Sequence, residues 1–254
     1  MLERLSWLRA RELFRTAKVA LIPVGSTEQH GQHLPLGTDF LTAQTLAESV
    51  AKELNLVCTP VIPVGISDHH RQFWGTLWVT PTTFRCYMRE IAQSLAYHGI
   101  KRLIYVNGHG GNNAALQEVC RDLRREGIFS VLYAWWLDPE VQKLLNELFK
   151  SRGTHAGASE TSIVWAIDAN LVDQAQMEVA ARGASEVFAT TKDGAPLPLD
   201  TLDFSQSGAT LDPREASPEA GRKILRTAQE RLAKLALWLQ EAPEKELQSK
   251  PHLL

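Results

Sequence analysis

The stretch KRLIYVNGHGGNNAALQEVCRDLRREGIFSVLYAWW, residues 101 to 136, decides the fold. It opens on a β-rich apolar run (101–108) and passes through His109-Gly110-Gly111-Asn112-Asn113. It continues with helical spacing over 114–125 and closes on a second β-rich run (129–136). A strand, an amphipathic helix and a strand so closely spaced form a βαβ unit, which makes the two strands parallel. The alternation extends upstream. VALIPVG (19–25) and LVCTPVIPVG (56–65) are apolar without a period of two, as expected of strands covered on both faces. Helical spacing spans 4–15, 41–55 and 83–98, and downstream 139–150, the run SETSIVWAID and 218–240; residues 66–81 and 184–216 read as irregular. The expectation is an α/β fold with a mainly parallel central sheet and helices on both faces.

Composition narrows the function classes. The 254 residues carry 27 basic and 29 acidic side chains, a formal net charge of -2. That balance leaves no electrostatic footprint for nucleic acid or an anionic membrane. The three cysteines, Cys58, Cys86 and Cys120, include no C-x-x-C pair; together with the absence of a disulfide framework this fits a reducing cytoplasm. The start, MLERLSWLRARELF, has charges throughout its apolar residues and does not read as a signal peptide. No stretch approaches the roughly 20 apolar residues that span a bilayer. With no repeat or linker in view, residues 1–240 are expected to form one domain, followed by a loosely ordered tail over 241–254.

Chemistry concentrates at predicted strand ends, where ligands of open α/β sheets gather. The stretch PVGSTEQHGQHLPLGTD (23–39) holds Glu28, His30, His33 and Asp39. In extended chain, residues 28 and 30 point to one side, so both can face one pocket. His109 follows the third predicted strand, and His155 and Glu160 lie in HAGASETS further on. A mixture of imidazole and carboxylate suits a divalent cation. On the residues alone two other readings stand beside it. A histidine at a strand end is often a hydrogen-bonded structural group, and the glycines of GHGGN make a tight turn or cradle phosphate.

Taken together, GSTEQHGQHLPLGTD, NGHGGN and HAGASETS resemble, in that order, the motifs of the creatininase family of metal-dependent amidohydrolases. The likeness runs from about residue 5 to 240. It implies a three-layer α/β/α sandwich, assembly as a homohexamer, and two divalent ions (Zn, Mn or Fe) per subunit. Carried over position by position, Glu28, Asp39 and His109 hold one ion, and His30, Asp39 and Glu160 the other, with Asp39 bridging. His155 and Glu160 are the candidate catalytic residues. His155 either donates a proton to the departing amine or orients Glu160.

There are departures from the family pattern. Creatinine-cleaving members carry an acid where this chain has Gly111, and a Trp-Asp pair where it has Ser151-Arg152, which argues against creatinine itself. In SDHHRQFWGTLWVT (67–80), His69 matches a family histidine. Trp74 and Trp78 are candidates for an apolar wall over substrate, and Arg71 or Arg152 for an anionic group. The expected function is hydrolysis of a C–N amide bond in a small-molecule substrate, a cyclic amide or a formamide. The alternatives are trimming of a cofactor-precursor peptide, or a non-catalytic metal-binding protein that keeps the fold.

Overall fold

The computed structural model describes residues 1–150, 155–185 and 191–250. Its centre is a four-stranded sheet of β1 (Ala20–Val24), β2 (Val57–Cys58), β3 (Arg102–Asn107) and β4 (Phe129–Ala134), all parallel and ordered β2-β1-β3-β4. The register pairs Ala20 with Leu103 and Val24 with Asn107, so β1 and β3 finish level with each other.

Alternation along the strands divides the interior into two cores. Leu21, Ile104 and Val106 enter one, against Leu46 and Val50 of α2 (Thr38–Leu54) and Ile224 and Leu232 of the long Pro218–Glu241 helix. Ala20, Ile22, Leu103 and Tyr105 enter the other, against Phe84 and Met88 of the Pro81–Tyr97 helix and Leu116 and Leu123 of the Asn113–Arg125 helix. The result is the three-layer sandwich that the sequence implied. Each buried Leu or Ile contributes about 1.5–3 kcal/mol by leaving water, so both faces of the sheet need a helical cover.

Helix starts follow local chemistry. In chain order α1 is Trp7–Thr16, with α3 (Pro81–Tyr97) and α4 (Asn113–Arg125) after α2. The Ser6, Thr80 and Asp138 side chains accept from the first turns of α1, α3 and α5 (Pro139–Leu148). Proline opens α3, α5 and the Pro218–Glu241 helix, where its missing N–H is not needed. Next come α6 (Ala158–Ile167), α7 (Met177–Gly183), α8 (Pro218–Glu241) and α9 (Glu244–Leu247).

Two expectations are corrected. The run 56–65 is a strand only over Val57–Cys58 at the sheet edge; Thr59 N and Ile62 N still donate to Leu21 O and Pro23 O, but Pro60 and Pro63 have no N–H to continue the ladder, and Ile62 makes a single bridge to Val24. Helix α2 starts at Thr38 rather than residue 41, which places Asp39 in its first turn. The irregular 184–216 segment contains a two-residue hairpin, β5 (Thr191–Lys192) with β6 (Ala195–Pro196). Leu247 of α9 is buried. Ser151, Arg152 and the tail end 251–254 lie outside the described residues. Among the described residues no helix is long and apolar enough to cross a membrane.

Candidate metal centre

The site begins with backbone contact. Gly108 N–H, just past β3, donates to Val24 O at the end of β1 (2.8 Å). The first turn of α2 rests directly on both strand ends. A Cβ at Gly25 would lie 2.4 Å from Phe40 N, and one at Gly108 2.2 Å from Asp39 O. Only the absence of side chains lets Asp39 drop between the strands, where the positive end of the helix also favours its charge. Asn112 ties the surrounding loops together. Its Nδ2 donates to Gly25 O (3.0 Å) and its Oδ1 accepts from Ile66 N (3.0 Å). Asn107 Nδ2 donates to His109 O (2.6 Å) and so holds the GHGGN turn closed.

On this floor the predicted ligands meet. Asp39 Oδ1 lies 3.0 Å from His30 Nε2, and Asp39 Oδ2 lies 3.1 Å from His109 Nδ1. His109 Nδ1 is also 3.0 Å from Glu28 Oε2, and His30 Nε2 is 3.7 Å from Glu160 Oε2. The far nitrogen of each imidazole is anchored. His109 Nε2 donates to Ile66 O (2.8 Å) and His30 Nδ1 to Glu28 O (3.1 Å). That pattern leaves the inward nitrogens as the ones able to coordinate. Glu28 Oε1 and Oε2, Asp39 Oδ2 and His30 Nε2 are buried, and among the described residues none completes a hydrogen bond. Acceptor atoms buried without donors fit a cation. Glu28, Asp39 and His109 offer ligand atoms close enough to hold one ion, and His30, His155 and Glu160 do so as well.

Electrostatics agree. Burial lowers the affinity of His30 for a proton, but the Asp39 carboxylate more than reverses this and pushes its pKa up to about 10. Burial likewise works against a charge on His109, yet Glu28 and Asp39 hold its pKa well above the ordinary value. Burial alone would raise Asp39; His30 and His109 instead hold it well below the carboxylate range. Burial raises Glu160 to about 7, against the opposing pull of His30. The carboxylates thus draw positive charge toward both imidazoles, the charge that divalent ions would supply instead.

The HAG segment brings in the remaining residues. Ala156 has φ +52°, a left-handed conformation that costs a non-glycine residue about 1–2 kcal/mol. Its N–H donates to Glu160 Oε2 (2.6 Å). The backbone therefore orients Glu160, a task the sequence reading had offered to His155. His155 Nε2 donates to Gln29 O (2.9 Å), and its Nδ1 lies 3.7 Å from Glu28 Oε1. Burial and the nearby His30 charge keep its pKa well below the ordinary value. It is a neutral imidazole with a bare Nδ1 beside the carboxylates.

Above the floor opens a cavity of about 700 Å³. Trp135, Trp136, Leu145 and Phe149 form one side, and Leu197, Leu199 and Phe204 come in from the distant 197–204 segment. Glu28, Asp39, His109, His155, Glu160 and His69 reach the same space. His69 stacks on His109, with ring centroids 5.8 Å apart. Trp74 and Trp78 do not line the cavity; Trp74 is 97 % exposed, and the aromatic wall is Trp135–Trp136 instead. Arg71 is not held for an anionic ligand, since its Nη1 donates to Asp200 Oδ1 (2.7 Å). His33 sits behind the floor, its Nε2 against Thr161 Oγ1 (2.8 Å). A Cβ at Gly111 would lie 2.3 Å from Ile66 O and 2.5 Å from His109 Nε2, so the turn has no room for a side chain there.

Sequence reasoning passed over His70. It is buried on the floor, its Nε2 3.3 Å from Glu28 Oε1. The signal was the His69-His70 doublet itself. In the tight Asp68–His70 turn the two rings stay together, centroids 4.2 Å apart, and both reach the cavity, with His70 the more deeply buried.

Comparison with known proteins places the molecule. The mycofactocin precursor peptide peptidase of Mycobacterium ulcerans is 32% identical over 216 residues, covering 80% of this chain and 78% of that protein. The creatinine amidohydrolase of Pseudomonas putida is 29% identical over 224 residues, covering 82% and 84%. A crystal structure of creatinine amidohydrolase superposes with a TM-score of 0.78 at 27% identity, over 95% of this chain and 98% of that one. Related creatininase structures are described as a Zn-Zn type and as creatininase Mn. Residues 3–236 match the family described as creatinine amidohydrolase, so the chain belongs to the creatininase family.

Proposed function

We propose that the protein is a metal-dependent amidohydrolase that cleaves a C–N amide bond with water. One observation carries this reading: the two oxygens of Asp39 face two different histidines, at 3.0 and 3.1 Å, each beside a further carboxylate. Glu28, Asp39 and His109 would hold one divalent ion, and His30, Asp39 and Glu160 a second. Bound ions supply a water acidified toward neutrality and an electrophile for the amide carbonyl. His155 moves the proton. Its Nε2–H is committed to Gln29 O, so Nδ1 takes a proton and returns it to the departing amine nitrogen. The Trp135, Trp136 and Phe149 wall excludes water and seats an uncharged part of the substrate.

For the substrate, a small cyclic amide or formamide remains the first reading. A peptide-type amide is the second, favoured by the volume and apolar lining of the cavity, which exceed the needs of a small ring. Metal analysis and a substrate panel test both. We expect up to two equivalents of Zn, Mn or Fe per chain, with hydrolysis of lactams, hydantoins, N-formyl arylamines or short apolar peptides abolished by a chelator. Full activity after complete metal removal would overturn the proposal.

A further inference from the structure

We infer that His70 is a positioning residue that aims Glu28 at the first ion, and that Gln29 sets the tautomer His70 needs. The inference rests on the two-ion reading above but concerns residues outside both ligand sets.

Gln29 Oε1 accepts from Gly31 N (2.9 Å), which fixes the orientation of the amide. Its Nε2 then faces His70 Nδ1 (2.8 Å), Gly208 O (3.0 Å) and His155 Nε2 (2.9 Å). An amide nitrogen has two hydrogens. Gly208 O can only accept, and His155 Nε2 has its own acceptor in Gln29 O at 2.9 Å. The second hydrogen therefore goes to His70 Nδ1. Neutral His70 must then carry its proton on Nε2, the nitrogen 3.3 Å from Glu28 Oε1.

This has two consequences. Glu28, His70 and His155 converge closely enough to pass for a metal triad, but a protonated Nε2 cannot coordinate, so His70 is no ligand. Its Nε2 instead stands 3.3 Å from Glu28 Oε1, an approach that steadies this oxygen by charge without completing a hydrogen bond, while Oε2 stays 3.0 Å from His109 Nδ1 in the first ion position. A polar N–H beside the second oxygen of a carboxylate is the kind of outer-shell support that ligating acids depend on. Packing confirms how little freedom Gln29 has. Gly208 adopts φ +77°, and a Cβ there would lie 1.9 Å from Gln29 Oε1.

The test measures affinity rather than turnover. Zn is titrated against a chromophoric chelator in a His30→Ala background, which leaves the first position, and in a His109→Ala background, which leaves the second. His70→Leu should weaken the first position about 10–100-fold and leave the second within threefold. His70→Gln, which keeps a donor, should restore the first. Nitrogen NMR of the metal-free wild type should find His70 protonated on Nε2, and Gln29→Leu should mix the two tautomers. Equal weakening at both positions, no weakening at either, or an Nδ1-protonated His70 would overturn the inference. Wild-type protein that binds no ion would overturn the two-ion reading and this inference with it. Wild type that loads two ions while His70→Leu matches it would overturn this inference alone.

Discussion

Below the cavity, the candidate ligands hang from strand ends and a helix start that touch backbone to backbone. Above it, Leu197, Leu199 and Phe204 belong to a segment of hairpin and turns far along the chain. The floor is tied by buried links such as Asn112 to Gly25 O and to Ile66 N. The roof is fastened where Asp200 accepts from Arg71 Nη1 and from Gln72 Nε2 (2.6 Å), with the Arg71 side chain 47% exposed. Buried links surrounded by low dielectric resist exchange with water, whereas a solvated ion pair contributes little. The difference separates two tasks. On the proposed function, the floor would fix the chemistry and the roof would set what is admitted to it.

The sharpest way to break this division is at Asp39. Asp39→Asn should lose both ions and lower kcat/KM by a thousandfold or more, about 4 kcal/mol, read by metal analysis and kinetics. His155→Ala, by contrast, should keep its metal while losing on the order of 10²–10⁴ in kcat. Equal metal content in the two variants, with wild type loaded, would end the bridging role given to Asp39.

Gly108→Ala tests whether backbone contact sets the floor. The added methyl meets Asp39 O, so we expect about 1–3 kcal/mol of destabilisation from overpacking and weaker metal binding, seen in thermal melts and chelator titrations. An unchanged melt would mean that α2 can retreat freely.

The floor also has a predictable pH response. Burial, aided by the His30 charge, lowers His33 to about 4 from an ordinary 6.5. A depressed histidine binds fewer protons in the folded state, so its contribution is complete above pH 6.5 and is lost as pH falls toward 4. The ceiling is roughly 3 kcal/mol. Glu160, raised to about 7, runs the opposite way over this range, so the loss is read as a difference: in urea melts between pH 7 and 4, wild type should fall relative to His33→Gln as pH drops.

The smallest effects belong to the roof. Phe204→Ala should raise KM about tenfold for apolar substrates and leave metal content untouched. Asp200→Ala should change stability by less than about 1 kcal/mol while raising KM severalfold. A loss of metal in either variant would erase the distinction between the two regions.

How much could be read from the chain alone follows the same divide. Glu28, His30, Asp39 and His109 sit in Gly-rich segments that follow predicted strands, and strand ends converge in a parallel sheet, so their meeting was legible; Glu160 follows a helix, and only the resemblance of HAGASETS to a family motif pointed to it. His70 was not, because nothing in an irregular segment says that both of two adjacent histidines reach the site. Nor was the wall. Trp135 and Trp136 read as the end of a strand, while Leu197, Leu199 and Phe204 carry no period at all, and their place depends on a fold-level contact with Arg71 and Gln72. Trp74 and Trp78 drew attention through residue type, yet the chain turns them away from the cavity.

The two glycines under α2 have a further consequence for anyone wishing to retune the site. Exchanging imidazole for carboxylate around the rim can alter which cation is preferred. The spacing between the two proposed cation positions is a different matter, because Asp39, which would serve both, is placed by main chain pressed against main chain at Gly25 and Gly108. That spacing will stay put under ligand swaps and shift only if the helix itself is moved.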